Sequence, residues 1–280
     1  MAIKQHRPTS AGRRISSSDA FADVTKTTPE KRLTTHLKKH AGRNNSGKIT
    51  VRHHGGGVKR RYRIVDFMQT RFDMPAKVVA IEYDPNRSAR IALVEYSDNT
   101  RAYILAPDGL TVGRTVLSTQ GKGEVEVGNR MPLKHVPTGV MVYNIELFPG
   151  RKGSVVRSAG NSAIVMAQDE GFVQLKLPST EVRRFDERCL ASIGTVSNAD
   201  WMNIRWGKAG RMRYRGVRPT VRGKVMNPVD HPHGGGEGAQ SIGLTHPKTP
   251  QGKPALGVKT RRQKKQSSRY IVSSRKKRND

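Results

Sequence analysis

The sequence predicts an all-β protein, with two small β domains held between two strongly cationic arms. Three observations carry this reading. The middle of the chain alternates short β-branched and aromatic runs with turn residues and shows few helical periods. Its charge is nearly balanced, with 18 Lys/Arg against 16 Asp/Glu over residues 61–200. The flanks are not balanced. Residues 1–60 hold 14 basic and 3 acidic residues and residues 201–280 hold 20 and 3, so the arms contribute +11 and +17 to a net charge of +30. Self-repulsion at that level opposes compaction unless a polyanion supplies counter-charge.

The first arm, residues 1–60, is short of apolar residues and rich in Gly, Ser and Thr. It cannot bury enough surface to fold alone. Met1–Ser18 is Arg/Ser-rich and acid-free, a composition shared faintly with transit peptides; a basic nucleic-acid-binding arm is the stronger reading. Gly42–Lys48 (GRNNSGK) matches the first seven positions of a phosphate-binding P-loop, but Ile49 stands where Ser or Thr must hold magnesium. No apolar strand precedes it, and His53-His54-Gly55-Gly56-Gly57 follows where a helix should start. The same residues suit an RNA-facing arm. Arg43, Asn44, Asn45 and Lys48 supply donors, and Gly55, Gly56 and Gly57 beside His53 let backbone amides approach phosphates.

The middle divides into two sets of strands. Lys77–Tyr83, Arg90–Tyr96 and Thr100–Leu105 form the first, separated by Asp84-Pro85-Asn86 and Ser97-Asp98-Asn99. The second comprises Gly139–Leu147, Ala163–Gln168, Phe172–Leu177 and Glu181–Phe185, with Asp169-Glu170-Gly171 as a turn. Pro132 and Pro137 lie between the sets. The expected division is therefore residues 61–128 and 129–200, each of a size that is marginally stable alone. Regular short strands imply small barrels or sandwiches. The best helix candidate is short, Asn198–Asn203, with Asn198 or Asp200 near its start.

The second arm, residues 201–280, is extended, basic and glycine-rich. Trp206–Gly223 interleaves Lys208, Arg211, Arg213, Arg215, Arg218 and Arg222 with Trp, Tyr and Gly. Guanidinium forks grip phosphate, and aromatic or guanidinium planes stack on unpaired bases. Asp230–Gly238 (DHPHGGGEG) is the most unusual segment. Its His231, His233, Asp230 and Glu237 are metal-ligand types, but Pro232 precludes a helix and the glycines supply no fixed scaffold. His231 could act as a general base, but no nucleophile neighbours it. The remaining reading is a loop whose bare backbone, at Gly234, Gly235 and Gly236, enters a tight RNA crevice, its conformation set by the RNA. Lys259, Arg261, Arg262, Lys264 and Lys265 repeat the basic theme. The run Arg275–Arg278, taken alone, reads equally as a nuclear localisation signal.

Other classes fall away. The longest uncharged apolar runs, such as Ala102–Ala106, are far short of the ~20 residues that span a bilayer. A single cysteine excludes a disulfide framework and any Cys-cluster zinc site. Cys189 follows Asp186-Glu187-Arg188, which does not favour thiolate, so it belongs to a core.

Arg222–Gly238 (RGKVMNPVDHPHGGGEG) resembles the signature of large-subunit ribosomal protein two, the universal L-two family. Tyr83–Leu93 (YDPNRSARIAL), Tyr62–Phe67 (YRIVDF), Gly42–Asn45, Arg157–Gly160 (RSAG) and Gly207–Gly210 (GKAG) are similar to its bacterial form, in the same order, from about Pro8 to Lys277. The resemblance implies a five-stranded OB-type barrel, then an SH3-like barrel, with both arms buried in ribosomal RNA. It implies a non-enzymatic, cytoplasmic ribosome component that supports subunit association, tRNA binding and the RNA-based peptidyl-transferase centre. Implied partners are large-subunit rRNA, small-subunit rRNA or proteins at an intersubunit bridge, and tRNA. No membrane, small-molecule substrate or cofactor is expected, beyond magnesium held by nearby rRNA.

The resemblance places Arg87 and Arg157 at rRNA-binding positions, together with Arg90 and other basic residues of the barrels. It makes His231, with Asp230 beside it, the histidine implicated near the peptidyl-transferase centre. The chain departs from the family at Met68–Met74, where Arg71 is the only cation. It departs again at Gln251, which stands after Thr249-Pro250 where the family often has Trp. The alternative from another class is a basic nucleic-acid chaperone or chromatin-like protein.

Overall fold

The computed structural model describes residues 3–238, 240–262 and 264–275. The chain folds as two units. The first takes in residues up to Lys38, Lys59–Lys208 and the stretch from Arg269; the second comprises Lys39–Val58 and Ala209–Ser268. The structure is mostly strand, with 28% of residues in strands and 11% in helices.

In the first unit, β1 (Ile3–Gln5) and β2 (Ser17–Asp19) pair antiparallel across the short helix α1 (Ala11–Arg14). β3 (Thr34–His36) pairs with β4 (Arg61–Arg63). Then β5 (Ala76–Glu82), β6 (Ile91–Tyr96), β7 (Arg101–Leu105) and β8 (Thr115–Val116) form a sheet in the order β7-β6-β5-β8. Val65 adds a parallel bridge to Tyr103 on β7, and the β5–β6 register shifts between Val78 and Ala80, a bulge that bends the strand and coils the sheet. β6 reads IALVEY without clean alternation because both its faces are buried. Ala92 and Val94 join Val78, Ile104 and Val116 on one side; Ile91 and Leu93 join Val65, Ala80 and Tyr103 on the other.

The N-terminal segment covers part of that second face. Thr25 donates its amide to the Ile81 carbonyl (2.9 Å) and accepts the Ile81 amide on its hydroxyl (2.9 Å); the Glu30 amide donates to the Tyr103 hydroxyl (2.8 Å). Arg90, 1% exposed, closes the arrangement with Nη2 on Asp19 Oδ2 (2.6 Å) and Nε on Asp23 Oδ2 (2.9 Å). The residues expected to form a single arm thus divide at Lys38. The part holding Asp19, Asp23 and Glu30, all of the arm's carboxylates, lies on a barrel.

The second sheet uses β9 (Arg130–Pro132), β10 (Met141–Tyr143), β11 (Ala163–Asp169), β12 (Phe172–Lys176), β13 (Val182–Asp186), β14 (Leu190–Ile193) and β15 (Ile271–Ser273). Its order is β15-β13-β12-β11-β10-β14-β9. Glu170 (φ 33) and Gly171 (φ 79) turn β11 into β12, the positive-φ pair that matches hairpin twist. Met131, Leu133, Val142, Ile145, Val165, Leu175, Phe185 and Cys189 fill the core. The curled sheets agree with the OB-type and SH3-like barrels that the resemblance implies. The expected short helix is present as a 3₁₀ turn, Ala199–Asn203, entered through Asn198 in the left-handed region (φ 66).

One ion pair is buried in the second barrel, and its arginine also reaches the segment that leads into the first. Arg130, fully buried, places Nη2 3.0 Å from Glu146 Oε1, donates Nη1 to the Asn144 carbonyl (2.7 Å) and Nε to the Met68 carbonyl (3.2 Å). Glu146 Oε2 accepts the Gly150 and Leu190 amides (both 3.2 Å). Desolvation pushes the Arg130 pKa down, and Glu146 counters it. Removing one partner strands a buried charge. Arg130→Met or Glu146→Gln should each cost about 3–5 kcal/mol in urea melts, while Arg188→Ala, which breaks an exposed pair with Asp186, should leave the melt nearly unchanged.

Burial pushes the Cys189 thiol up to about 12. Alkylation by iodoacetamide at pH 8 should therefore be negligible on the native protein and should rise only with denaturant through the global transition. Rapid labelling without denaturant would contradict the burial.

Candidate nucleic-acid interface

In the first unit, two arginines converge on one aromatic ring. The Asp84-Pro85-Asn86 turn is held by Asp84, fully buried, whose Oδ1 accepts the Asn86 amide (2.8 Å). Its other oxygen accepts Arg87 Nε (2.6 Å), leaving the Nη atoms of the fork for a ligand. Arg87 lies 5.4 Å from the Phe67 ring centroid and Arg157 lies 4.5 Å from it. Arg157 follows Val156, a β-branched residue in the left-handed region (φ 55). Such a conformation costs on the order of 1–3 kcal/mol and persists only where surroundings enforce it. Here the Asn144 amide bonds the Val156 carbonyl (2.8 Å), and the side chain packs on the second core. Arg157 has no ion pair among the described residues. Burial, then the Arg87 charge, pushes its pKa below the usual guanidinium value. Two cations sharing a ring, one without a counter-ion, can take a phosphate, which Arg forks bind bidentately.

Two other expected contacts on this unit are placed differently. Arg90 is not on the surface at all: its fork is consumed by Asp19 and Asp23, so it cannot offer a phosphate anything. The expectation that it binds rRNA is corrected to a structural role. Arg71 is exposed, but its Nη1 bonds both Asp98 Oδ2 (2.6 Å) and the Thr100 hydroxyl, and its guanidinium lies over Tyr96 (4.7 Å). Thr100, then Arg71, holds the Asp98 carboxyl down to about 2, so this pair stays formed at neutral pH.

The second unit gathers most of the remaining candidates. Residues 42–49 form a tight hairpin in which Asn44 Oδ1 accepts the Lys48 amide (2.9 Å) and Arg43 bridges Ile49. Arg43, Asn45 and Lys48 are exposed around it. The likeness to a P-loop ends there, since no strand runs directly into the hairpin and no helix directly follows it. The His53–Gly57 stretch lies against Tyr214–Arg218. The Gly55 amide donates to Gly216 O (3.0 Å), the Val58 amide to Tyr214 O (2.9 Å) and the Arg218 amide to His53 O (2.9 Å). The helix α2 (Ala209–Tyr214) sets Arg211 and Arg215 one turn apart. Lys208, in the first unit, and Arg218 and Arg222 are exposed; Arg261 and Arg262 are exposed further on, with Arg261 Nη2 on the Ser267 and Ser268 hydroxyls (3.1 and 3.2 Å). Lys276–Arg278 lie outside the described residues.

His231 is 8% exposed. Its Nδ1 accepts the His233 amide (3.0 Å), the two rings meet edge to face at 4.7 Å, and His233 Nε2 accepts the Lys248 amide (2.8 Å). Desolvation, then His233 and Arg52, pushes its pKa down, so the ring is neutral at physiological pH. The sequence suggested a loop too slack to hold its own shape. The glycines instead admit the chain's own atoms. A Cβ on Gly234 would lie 2.3 Å from the Asn227 carbonyl oxygen, and one on Gly223 would lie 2.5 Å from the His231 ring. The Gly234 and Gly235 amides bond His231 O and Met226 O (2.8 and 3.1 Å). Among the described residues, no three of His, Cys, Asp and Glu come together as metal ligands, and no carboxylate bonds His231.

Paired arginines on a β-barrel and a cationic, glycine-rich second unit with only two acidic residues in its sequence define an RNA-binding β-protein. Two family models match the chain. Ribosomal Proteins L2, RNA binding N-terminal domain, covers residues 30–118, and Ribosomal Proteins L2, C-terminal domain, covers residues 126–252. The chain belongs to the ribosomal protein L2 family. It is a structural ribosomal protein that binds ribosomal RNA in the large subunit, and the chaperone or chromatin-like alternative finds no support.

The two kinds of arginine should separate experimentally. Arg157→Ala should weaken rRNA binding and reduce the log K against log[salt] slope by about 1 without lowering the melting temperature. Arg90→Ala should do the reverse, lowering the melting temperature and making residues 3–38 protease-sensitive. A salt slope unchanged in Arg157→Ala would remove it from the phosphate contacts.

Proposed function

We propose that this chain scaffolds the large subunit through Arg87 and Arg157 on its barrels and through the glycine-rich loop near the peptidyl-transferase centre. It also supports subunit joining at an intersubunit bridge, and tRNA binding. Its working division is residues 1–60, 61–128, 129–200 and 201–280, and its place is the cytoplasmic ribosome. The rRNA-contacting set of the second unit is Arg43, Asn44, Asn45, Lys48, His53, Gly55–Gly57, Arg211, Arg213, Arg215, Arg218, Arg222, His233, Gly234–Gly236, Arg261 and Arg262. The chain is not an enzyme, and His231 acts by position.

The observation that carries the positional reading is the state of the His231 ring. Its Nδ1 is already an acceptor inside the loop, which leaves Nε2 as the protonated nitrogen of the neutral imidazole. The Nδ1 lone pair is spent on the His233 amide, and among the described residues no carboxylate bonds the ring to orient it for proton transfer. Nε2–H can still donate one hydrogen bond outward.

Large subunits carrying His231→Ala should retain nearly wild-type rRNA affinity, because one neutral side chain among 52 cations adds little electrostatic binding. They should lose peptide-bond formation or subunit joining. His231→Gln keeps a donor but cannot exchange a proton. Recovery in Gln supports the positional role, failure of Gln with loss in Ala favours proton transfer, and full activity in Ala refutes both.

A further inference from the structure

Phe21 and Tyr83 form an aromatic pair that the scaffold set does not use. Their ring centroids are 5.2 Å apart at 84°. Both residues are 44% exposed, whereas Tyr96, Tyr103, Tyr143 and Phe185 of the same unit are buried and Phe148 and Phe172 are exposed elsewhere on it. Because the two rings touch, they present one contiguous aromatic surface.

The backbone under Phe21 is strained toward this arrangement. Phe21 sits in the left-handed region (φ 54), where a bulky residue is an outlier and the usual occupant is glycine or asparagine. Asp19 enforces it: Oδ1 accepts the Phe21 amide (2.8 Å) while Oδ2 holds Arg90 Nη2 (2.6 Å). One carboxylate therefore fixes both the ring and the cation beneath it. The Arg90 guanidinium lies over the Phe21 ring, 5.2 Å from its centroid. The buried arginine, its charge balanced by Asp19 and Asp23, supports the exposed ring from one face.

Tyr83 precedes the Asp84-Pro85-Asn86 turn that presents Arg87, so the pair lies four residues along the chain from a guanidinium with an unspent fork. Aromatic surface beside Arg is the combination that captures an unpaired base while its backbone is gripped by cations. A protein partner would need a wider apolar patch, whereas two touching rings beside the Arg87 fork fit a single planar ligand.

We propose that Phe21 and Tyr83 form a stacking platform for an unpaired nucleobase of rRNA, a contact separate from the Arg87–Arg157 phosphate site. It rests on the rRNA-binding assignment. The test uses the full-length chain and large-subunit rRNA, with affinity measured across a salt series for Phe21→Leu, Tyr83→Leu and Phe21→Trp. Leu keeps apolar bulk but has no flat π face; Trp keeps one. Both Leu variants should bind about 5- to 100-fold more weakly, with an unchanged salt slope because no phosphate contact is lost, and Trp should bind as the wild type does. Ultraviolet irradiation of assembled large subunits should attach a nucleotide to the peptide carrying Phe21 or Tyr83.

Failure of the wild-type chain to bind rRNA would sink the parent assignment. Wild-type binding with equal affinity in both Leu variants would sink the platform alone. A fall in melting temperature in both Leu variants matching their loss of affinity would make the pair a structural prop. Intact rRNA affinity with loss of a neighbouring protein from the subunit would give the surface to a protein instead. Each of these last three overturns the proposal.

Discussion

The first unit turns on a charge that has no access to water. Arg130 is buried in the second barrel, reaching the Met68 carbonyl on one side and Glu146 and the Asn144 carbonyl on the other. A guanidinium in that position is expensive to desolvate, and only full use of its donors makes it tolerable. The consequence is geometric as much as energetic. The segment from Asn144 to Glu146 is fixed against Arg130, the Asn144 amide fixes the Val156 carbonyl, and Val156 in turn aims Arg157. Contacts within the second barrel thus run from the buried ion pair through Asn144 and Val156 to Arg157, so the core sets where that guanidinium stands.

Carboxylates are scarce in this chain, 22 against 52 cations, and where they stand decides which cations are free. Asp19 and Asp23 hold Arg90, Glu146 holds Arg130, Asp84 orients Arg87, and Glu82 sits 3.8 Å from Lys26. Each of these acids is at or beneath the surface of a barrel. The second unit has only Asp230 and Glu237 among its many bases. In the barrels these acids position or bury cations, and the cation-rich second unit has almost none.

That distribution also explains what could be read from residues alone. The strands of both barrels were legible because β-branched runs and turn signals are local, and the observed β5, β6, β7, β11, β12 and β13 fall within a residue or so of their expected bounds. β14 and β15 were not: LASI is four residues without a flanking turn signature, and Ile271–Ser273 becomes a strand only because β13 has an open edge. Arg87 and Arg157 stand out through their motifs, and the structure adds that both lie against one ring, Phe67. Arg90 looked like one more cation in the same motif. Its partners lie 71 and 67 residues away, a separation at which charge patterning carries no signal. Asp19 and Asp23, as members of a basic arm, were invisible for the same reason.

The glycine-rich loop shows the limit from the other direction. Glycine after glycine at 234–236 reads as slackness, because composition records the absence of side chains but not what fills the space. Here backbone and imidazole fill it, with Asn227 against Gly234 and His231 against Gly223. The same missing Cβ atoms that would let RNA come close let the loop close on itself first. A loop organised in this way meets its ligand with less conformational entropy left to lose, and preorganisation of this kind raises affinity without any added contact. It also fixes which face of His231 is spent. Nδ1 is committed inward, so a hydrogen bond donated by the neutral His231 ring leaves from Nε2, in a direction set by protein atoms.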